Sequence, residues 1–343
     1  MKKQRYCAAF FLICGLSLSC SKGTATNQGT QSVSASAKPI ALRIGNTTAQ
    51  DHILNITFEE MAKAINERSG GRIEATVYPN GQLGTLRTMT EGLQLGTLEM
   101  ATQSPGGLAS FWPTIGVLEL PYMFQTNQEV YDVLDGDVGQ ELNKKFLEKT
   151  QIRILAYWMN LVRQTTNSKR PIKTADDFKG LKLRVPETKA IVEAFRGLGA
   201  SPTPMPFGDL YTGLAQGTVD GQENPSSIIY ASKLYEVQKY LSLTNHVFSP
   251  VVVMISEDFY KKLPEDLRNI INEEVLAARS RCRPISERMD DELTEELKKY
   301  LEVNTVNTTG FRELAQPAYD DIVKTAGQEA KDYIARIESG LRR

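Results

Sequence analysis

The residues best suited to chemistry are arginines and amides, and they lie between 155 and 225. Arg184 stands near the end of an apolar run, Leu181 to Val185, that Pro186 stops. Such a run reads as a buried strand, and a strand end opening on a crevice fixes a cation where a ligand can meet it. A guanidinium is a planar fork that bonds both oxygens of a carboxylate, a geometry that a lysine ammonium lacks. A surface or ion-paired arginine is the other reading of the same pattern. Arg163, in a polar turn-like stretch after Trp158-Met159-Asn160-Leu161-Val162, is open to the same two readings. Asp220-Gly221-Gln222-Glu223-Asn224-Pro225 gathers four polar side chains in a turn-rich run, and its plain structural reading is a surface turn.

Enzyme chemistry finds no comparable grouping. The chain has two histidines, His52 at a helix start and His246 after a strand-like run, and neither has a sequence partner. A surface or satisfied-core place suits both. No H-E-x-x-H, C-x-x-C, G-x-S-x-G or glycine-rich phosphate loop occurs, and metal-ligand spacing is absent. Adjacent acids such as Asp176–Asp177 and Glu273–Glu274 do not face each other on a helix. No catalytic residue, metal or cofactor is therefore assigned, and a secreted α/β enzyme is the least favoured function.

The elements that must position these residues alternate between strand and helix. Ile40 to Ile44 reads as a strand, 51–69 as an amphipathic helix ended by Gly70 and Gly71, and Arg72 to Tyr78 as a strand. A helix around Leu86 to Leu95 and a strand near Leu98 to Thr102 follow. Ile152 to Trp158, Leu181 to Val185 and Val251 to Ile255 are further strands, and Thr188 to Leu198 is a helix. Leu267, Ile270, Ile271 and Val275, then Met289, Leu293, Leu297 and Leu301, form core-facing helical stripes. This order predicts an α/β fold of two lobes joined by crossing strands, with ligand in the crevice between them.

The length of 343 residues suits two domains, and a net charge of −1 with no basic stripe excludes a nucleic-acid partner. The N-terminus is different in kind. Lys2, Lys3 and Arg5 precede an apolar stretch, Cys7 to Leu18, too short to span a bilayer. Small residues and Cys20 follow, so 1–20 reads as a secretory leader. Cys20 resembles a bacterial lipoprotein processing site, although Ser17 stands where leucine is usual. An ordinary cut nearby is the alternative. Residues 21–38 are rich in Ser, Thr, Ala, Gln and Gly and read as a flexible tether. Loss of the leader takes the basic count from 40 to 37 against 41 acids, or −4. With Cys20 acylated, Cys282 is left alone and no internal disulfide is possible.

The spaced blocks R-Q-T-T-N, L-K-L-R-V-P, P-F-x-D-L-Y-x-x-L-x-x-G and V-D-G-Q-E-N-P resemble the tripartite ATP-independent periplasmic (TRAP) family of substrate-binding proteins. The resemblance extends more weakly over 39–330, through G-Q-L-G (81–84) and L-P-Y-M-F (120–124). It implies a two-lobe periplasmic binding protein fold with hinge-crossing strands and one long helix spanning both lobes. The lobes it suggests are 39–160 plus 250–289, and 161–249 plus 290–343 with the C-terminal helices. It implies that Arg184 clamps a carboxylate, that Arg163 also reaches it, and that Phe207 and Asn224 are the pocket aromatic and amide. The first-lobe wall falls around Asn46 and Thr102 to Ser104, with Gln103, and Trp158 joins the lining.

The function so implied is capture of a small organic anion in the periplasm, and the leader adds an anchor to a membrane through Cys20. Its partners would be integral membrane permease subunits and a possible extra periplasmic protein. The chain departs from the family in lacking Asp-x-Gly before Arg163 and in carrying the short Asp209 after the pocket aromatic. The first departure places bulkier apolar groups beside the site and leaves room for a larger or greasier acid than a small dicarboxylate. The binding protein of an ATP-driven importer and a ligand-sensing lipoprotein share this architecture, and the V-D-G-Q-E-N-P run speaks against the importer.

Overall fold

The computed structural model describes residues 38–341. The leader, Cys20 and the tether to residue 37 lie outside the described residues. Eleven strands are described: β1 (Ile40–Gly45), β2 (Ile73–Tyr78), β3 (Met100–Gln103), β4 (Ile152–Val162), β5 (Gln164–Asn167), β6 (Lys182–Val185), β7 (Ser201–Pro204), β8 (Gly221–Asn224), β9 (Tyr240–Leu243), β10 (Phe248–Ser256) and β11 (Glu302–Thr305). They build two sheets, β2-β1-β3-β10-β4 and β11-β9-β5-β8-β6-β7. The pairs β1–β2, β1–β3, β6–β7 and β6–β8 are parallel, as helix-linked strands must be. β10 runs antiparallel between β3 and β4. This is the two-lobe α/β periplasmic binding protein fold.

Helix Ile53–Arg68 shows how a sequence pattern becomes packing. Leu54, Phe58, Met61 and Ile65 recur at helical spacing and are all buried against the first sheet. His52 caps this helix, its Nδ1 accepting the Leu54 N–H at 3.2 Å. Burial pushes the His52 pKa down to about 4, so the ring is neutral and free to accept. The two C-terminal stripes, apart from Leu301, belong to one helix, Glu265–Leu297, which contains Pro284. Its first half packs Leu267, Ile271, Val275 and Cys282 into the core of the first sheet. Its end packs Leu297 against Leu210, Leu214 and Ile229 of the second. Helices Gln316–Ala326 and Gln328–Leu341 place Tyr319, Tyr333 and Ile337 in a cluster with Leu134, Leu142 and Phe146 beside the first sheet. Ala194 of the second body joins that cluster.

The chain passes between the sheets side by side at two places. β4 runs into β5 through Arg163, β9 runs into β10 through 244–247, and the Arg163 N–H donates to Val247 O at 2.8 Å. Val162 pairs with Phe248 and Met159 with Pro250, so Asn160 and Leu161 bulge opposite Ser249. Leu161 has φ +70 there. That left-handed backbone costs a non-glycine residue about 1–2 kcal/mol.

Asp290 joins the long helix to the second body. Its buried carboxylate accepts the Ser227 N–H at 2.8 Å. Desolvation pushes its pKa up to about 6 from 3.8. A carboxyl whose folded pKa is raised destabilises the fold as pH climbs from the unfolded value through the folded one. Asp290→Asn should therefore match the parent near pH 4 and gain about 1–3 kcal/mol at pH 7.5. Urea unfolding at the two pH values checks this, and no gain at pH 7.5 would refute it.

Candidate ligand-binding cleft

A cleft of about 660 Å³ opens where the two bodies face each other. Such a volume suits a small organic ligand. Asn46, Gln103, Arg163, Arg184, Phe207 and Asn224 all line it. Trp158 does not. Its ring lies one layer behind, stacked on the lining residue Phe58 with centroids 4.3 Å apart, and its Nε1 donates to Val275 O at 3.3 Å. The pleat of β4 turns this indole toward the long helix, so its place is the core and not the pocket surface.

The run 220–225, whose plain structural reading is a surface turn, holds the buried strand β8 between β5 and β6. Its polar side chains pair with one another and with β5. Gln222 donates to Thr166 Oγ1 at 2.9 Å, and Asn224 Nδ2 donates to Gln222 Oε1 at 2.6 Å. β8 also carries Glu223, whose carboxylate grips Arg163. Arg163 Nε and Nη2 donate to Oε2 and Oε1 at 2.5 and 2.8 Å. Nη2 also reaches Glu223 O at 2.9 Å and Asn224 Oδ1 at 3.1 Å. Burial opposes the Arg163 charge, but Glu223 outweighs it and holds the pKa above the ordinary value.

His246 completes this group from the second crossing. Burial holds its pKa below the usual range. In the neutral ring Nε2–H donates to Glu223 Oε2 at 2.8 Å, and Nδ1 accepts from the Thr244 hydroxyl at 2.9 Å. Burial alone would raise the Glu223 carboxyl, but the Arg163 charge and the His246 hydrogen bond overcome it and hold the pKa at about 2. Arg163 is thus a neutralised cation whose Nη1 has no partner among the described residues.

Arg184 differs. It is only 3% exposed, yet among the described residues it has no carboxylate within ion-pair distance. Nε and Nη2 both donate to the Met205 carbonyl, at 3.0 and 2.7 Å. The carbonyl occupies one edge of the guanidinium and leaves the Nη1/Nη2 edge open to bind an anion end-on. Phe207 stands 5.9 Å from the guanidinium carbon across its ring. Burial lowers the Arg184 pKa to about 10, so the charge survives at neutral pH, desolvated and unpaired.

The opposite wall holds its amides in place. Asn46 Oδ1 accepts from the Thr48 N–H and hydroxyl at 3.0 and 2.7 Å, and its Nδ2 donates to Asn55 at 3.1 Å. Gln103 Oε1 accepts the Ser104 N–H at 2.9 Å. Asn160 and Glu119 are among the lining residues that sequence reasoning missed. Asn160 has an Oδ1 with no partner among the described residues. Glu119 is buried in the same lining. Asn160 stands at the first position of the Asp-x-Gly that the family places before Arg163, whereas Glu119 lies in no recognisable motif and its role arises from contacts across the fold. Among the described residues no group of three or more His, Cys, Asp or Glu is placed to hold a metal.

Residues 44–326 match the model of the family described as bacterial extracellular solute-binding protein, family 7. The chain is 36% identical over 231 residues to the 2,3-diketo-L-gulonate-binding periplasmic protein YiaO of Escherichia coli, a match covering 67% of this chain and 70% of that one. It is 34% identical over 278 residues to the sialic acid-binding periplasmic protein SiaP of Vibrio cholerae, covering 81% and 86%. The crystal structure of the sugar acid binding protein DctPAm from Advenella mimigardefordensis in complex with galactonate superposes with a TM-score of 0.84. That match has 32% identity and covers 88% of this chain and 99% of the other.

Proposed function

The chain belongs to family 7 of the bacterial extracellular solute-binding proteins, and from that membership we propose that its cleft captures a small organic acid by the carboxylate and delivers it to the membrane subunits of a TRAP transporter. The observation that carries the ligand class is the buried Arg184 guanidinium, desolvated without a counter-charge and open along one edge. A carboxylate placed there replaces the water that both ions give up. Arg163 Nη1 and the second N–H of Asn224 supply further donors on the same side. Galactonate in a solved relative supports a carboxylate as the group bound. Capture and delivery break no bond in the ligand. Native mass spectrometry of the purified protein should reveal a co-purified organic acid, and a bound neutral or cationic solute would refute the assignment.

The two bodies act as lobes that close on the ligand, with Arg163 and 244–247 as the crossings about which they turn. Small-angle scattering should give a smaller radius of gyration with ligand than without it. An unchanged radius at saturating ligand would count against closure.

In its host the protein is held to a membrane through acylated Cys20, the tether 21–38 giving the lobes reach. Each buried acyl methylene contributes about 0.8 kcal/mol, so a multiply acylated cysteine anchors firmly. Cys20→Ser should shift the protein from the membrane to the soluble fraction. Failure of the unaltered protein to incorporate labelled palmitate would exclude the anchor.

A further inference from the structure

We propose that Glu119 is a charge filter in the cleft, admitting acids that carry one carboxylate and disfavouring those that carry a second. The proposal rests on the carboxylate-binding reading above. Glu119 lines the cleft and is 3% exposed. Its Oε1 accepts the Ser249 hydroxyl and its Oε2 the Gly106 N–H, each at 2.7 Å. Ser249 lies on β10 opposite the bulge, so the carboxylate is fastened where the strands cross. Gly106 lies at the seam between the bodies. A Cβ there would stand 2.6 Å from Glu119 Oε2 and 2.3 Å from Thr188 Cγ2, just beyond the Arg184 strand.

The fixed bond from the Gly106 amide can only be accepted, and the Ser249 hydroxyl is free to donate, so the partners suit an ionised carboxylate. Burial raises its pKa, and Arg163, Ser249, Ser104 and Gly106 offset that rise only in part.

The charges around the ligand can be counted. The buried ones are Arg163, Arg184, Glu119 and Glu223, two of each sign. The exposed lining charges are Arg87, Lys233, Glu187 and Asp209, again two of each sign, and they are screened by solvent. A monocarboxylate thus leaves the buried site one negative charge in excess, and a dicarboxylate leaves two. Glu223 is committed to Arg163, so Glu119 is the carboxylate that a second acid group would meet without compensation. In a water-poor cleft that repulsion is several-fold stronger than in bulk water. A ligand hydroxyl in the same place can donate to Glu119, whose oxygens retain unused lone pairs. The favoured class is therefore a hydroxylated monocarboxylic acid.

The test is calorimetric titration of ligand-stripped protein with two matched pairs. D-galactonate and galactarate differ only in whether the far terminus is a hydroxymethyl or a carboxylate, and 4-hydroxybutyrate and succinate differ in the same way. The parent should prefer the monocarboxylate of any pair it binds by tenfold or more. Glu119→Gln should cut that preference to threefold or less, and Glu119→Asp should restore most of it. A merely structural role would weaken both members of a pair alike. Thermal unfolding confirms that each variant is folded, and if the Gln variant is not, the parent and Asp ratios decide. A parent that binds the diacid as well or better, or an unchanged ratio in a folded Gln variant, would overturn the filter. If Arg184→Ala also leaves binding intact, the carboxylate reading falls with it; if Arg184→Ala abolishes binding, only the filter falls. Should neither pair bind, the co-purified acid decides: one carboxylate upholds the filter and two overturn it.

Discussion

Replacing Arg184 by alanine will weaken binding of the captured acid by about a hundredfold or more. The guanidinium is held rigidly, since β6 fixes its backbone and the Met205 carbonyl fixes one edge of the fork. Its contact with a carboxylate is charge-assisted and roughly twice as strong as a neutral hydrogen bond. Truncation also leaves the ligand carboxylate buried without its counter-charge, a loss of about 3–5 kcal/mol where such pairs are broken. At about 1.4 kcal/mol per factor of ten, that exceeds a hundredfold. Arg184→Lys should recover only part, because an ammonium cannot bond Met205 O and both ligand oxygens in one plane. The empty protein should lose little stability, since burial already works against this charge. Calorimetric titration with the identified acid decides the matter, and affinity within threefold of the parent would remove Arg184 from the site.

Glu223→Gln will have its main effect on the fold. Glu223 is 0% exposed and receives Arg163 and His246 together. Neutralising it strands the Arg163 charge in the interior, at a cost of about 3–5 kcal/mol. At roughly 2 °C per kcal/mol the melting temperature should fall by about 6–10 °C. The dependence on pH has a definite sign. The folded carboxyl titrates at about 2 against an ordinary 4.5, so its contribution is complete above pH 4.5 and fades as the pH falls toward 2. Denaturation at pH 7 and pH 3 should show the parent and the Gln variant converging in acid. An equal melting temperature at pH 7 would mean that the Arg163 charge is compensated elsewhere.

Much of the frame was legible in sequence because it rests on periodicity. The stripe of helix Ile53–Arg68, the apolar β10 and the Leu181–Val185 run announce burial through spacing alone. Arg184 was legible for the same reason, as a charge on an apolar strand. β8 was not. Gly221 to Asn224 carries turn-forming and polar residues, and its burial depends on partners in β5 and β6 that sequence does not place beside it. Arg163 and Glu223 are 60 positions apart and Glu119 and Ser249 are 130 apart, so their hydrogen bonds exist only through the topology. Trp158 stands two positions before the lining residue Asn160, yet its ring packs on Phe58 and the long helix, a placement set by tertiary contacts and not by spacing.

The position of β10 also fixes the order in which the molecule can be completed. β3 and β4 are not neighbours without it, because β10 lies between them. The first lobe therefore has a gap in its sheet until residue 256 is available. The second needs no such wait, since β5 to β9 all fall within 164–243 and only the edge strand β11 comes later. The lobe encoded in the middle of the chain can assemble from nearby sequence, whereas the one that begins the chain must recruit a strand nearly 150 residues beyond β3. Contacts of that separation are slow to form, because the intervening loop must be closed before they repay its entropy. Until β10 arrives, β3 and β4 expose unpaired edges in the half-built first lobe, the surface most open to misassociation.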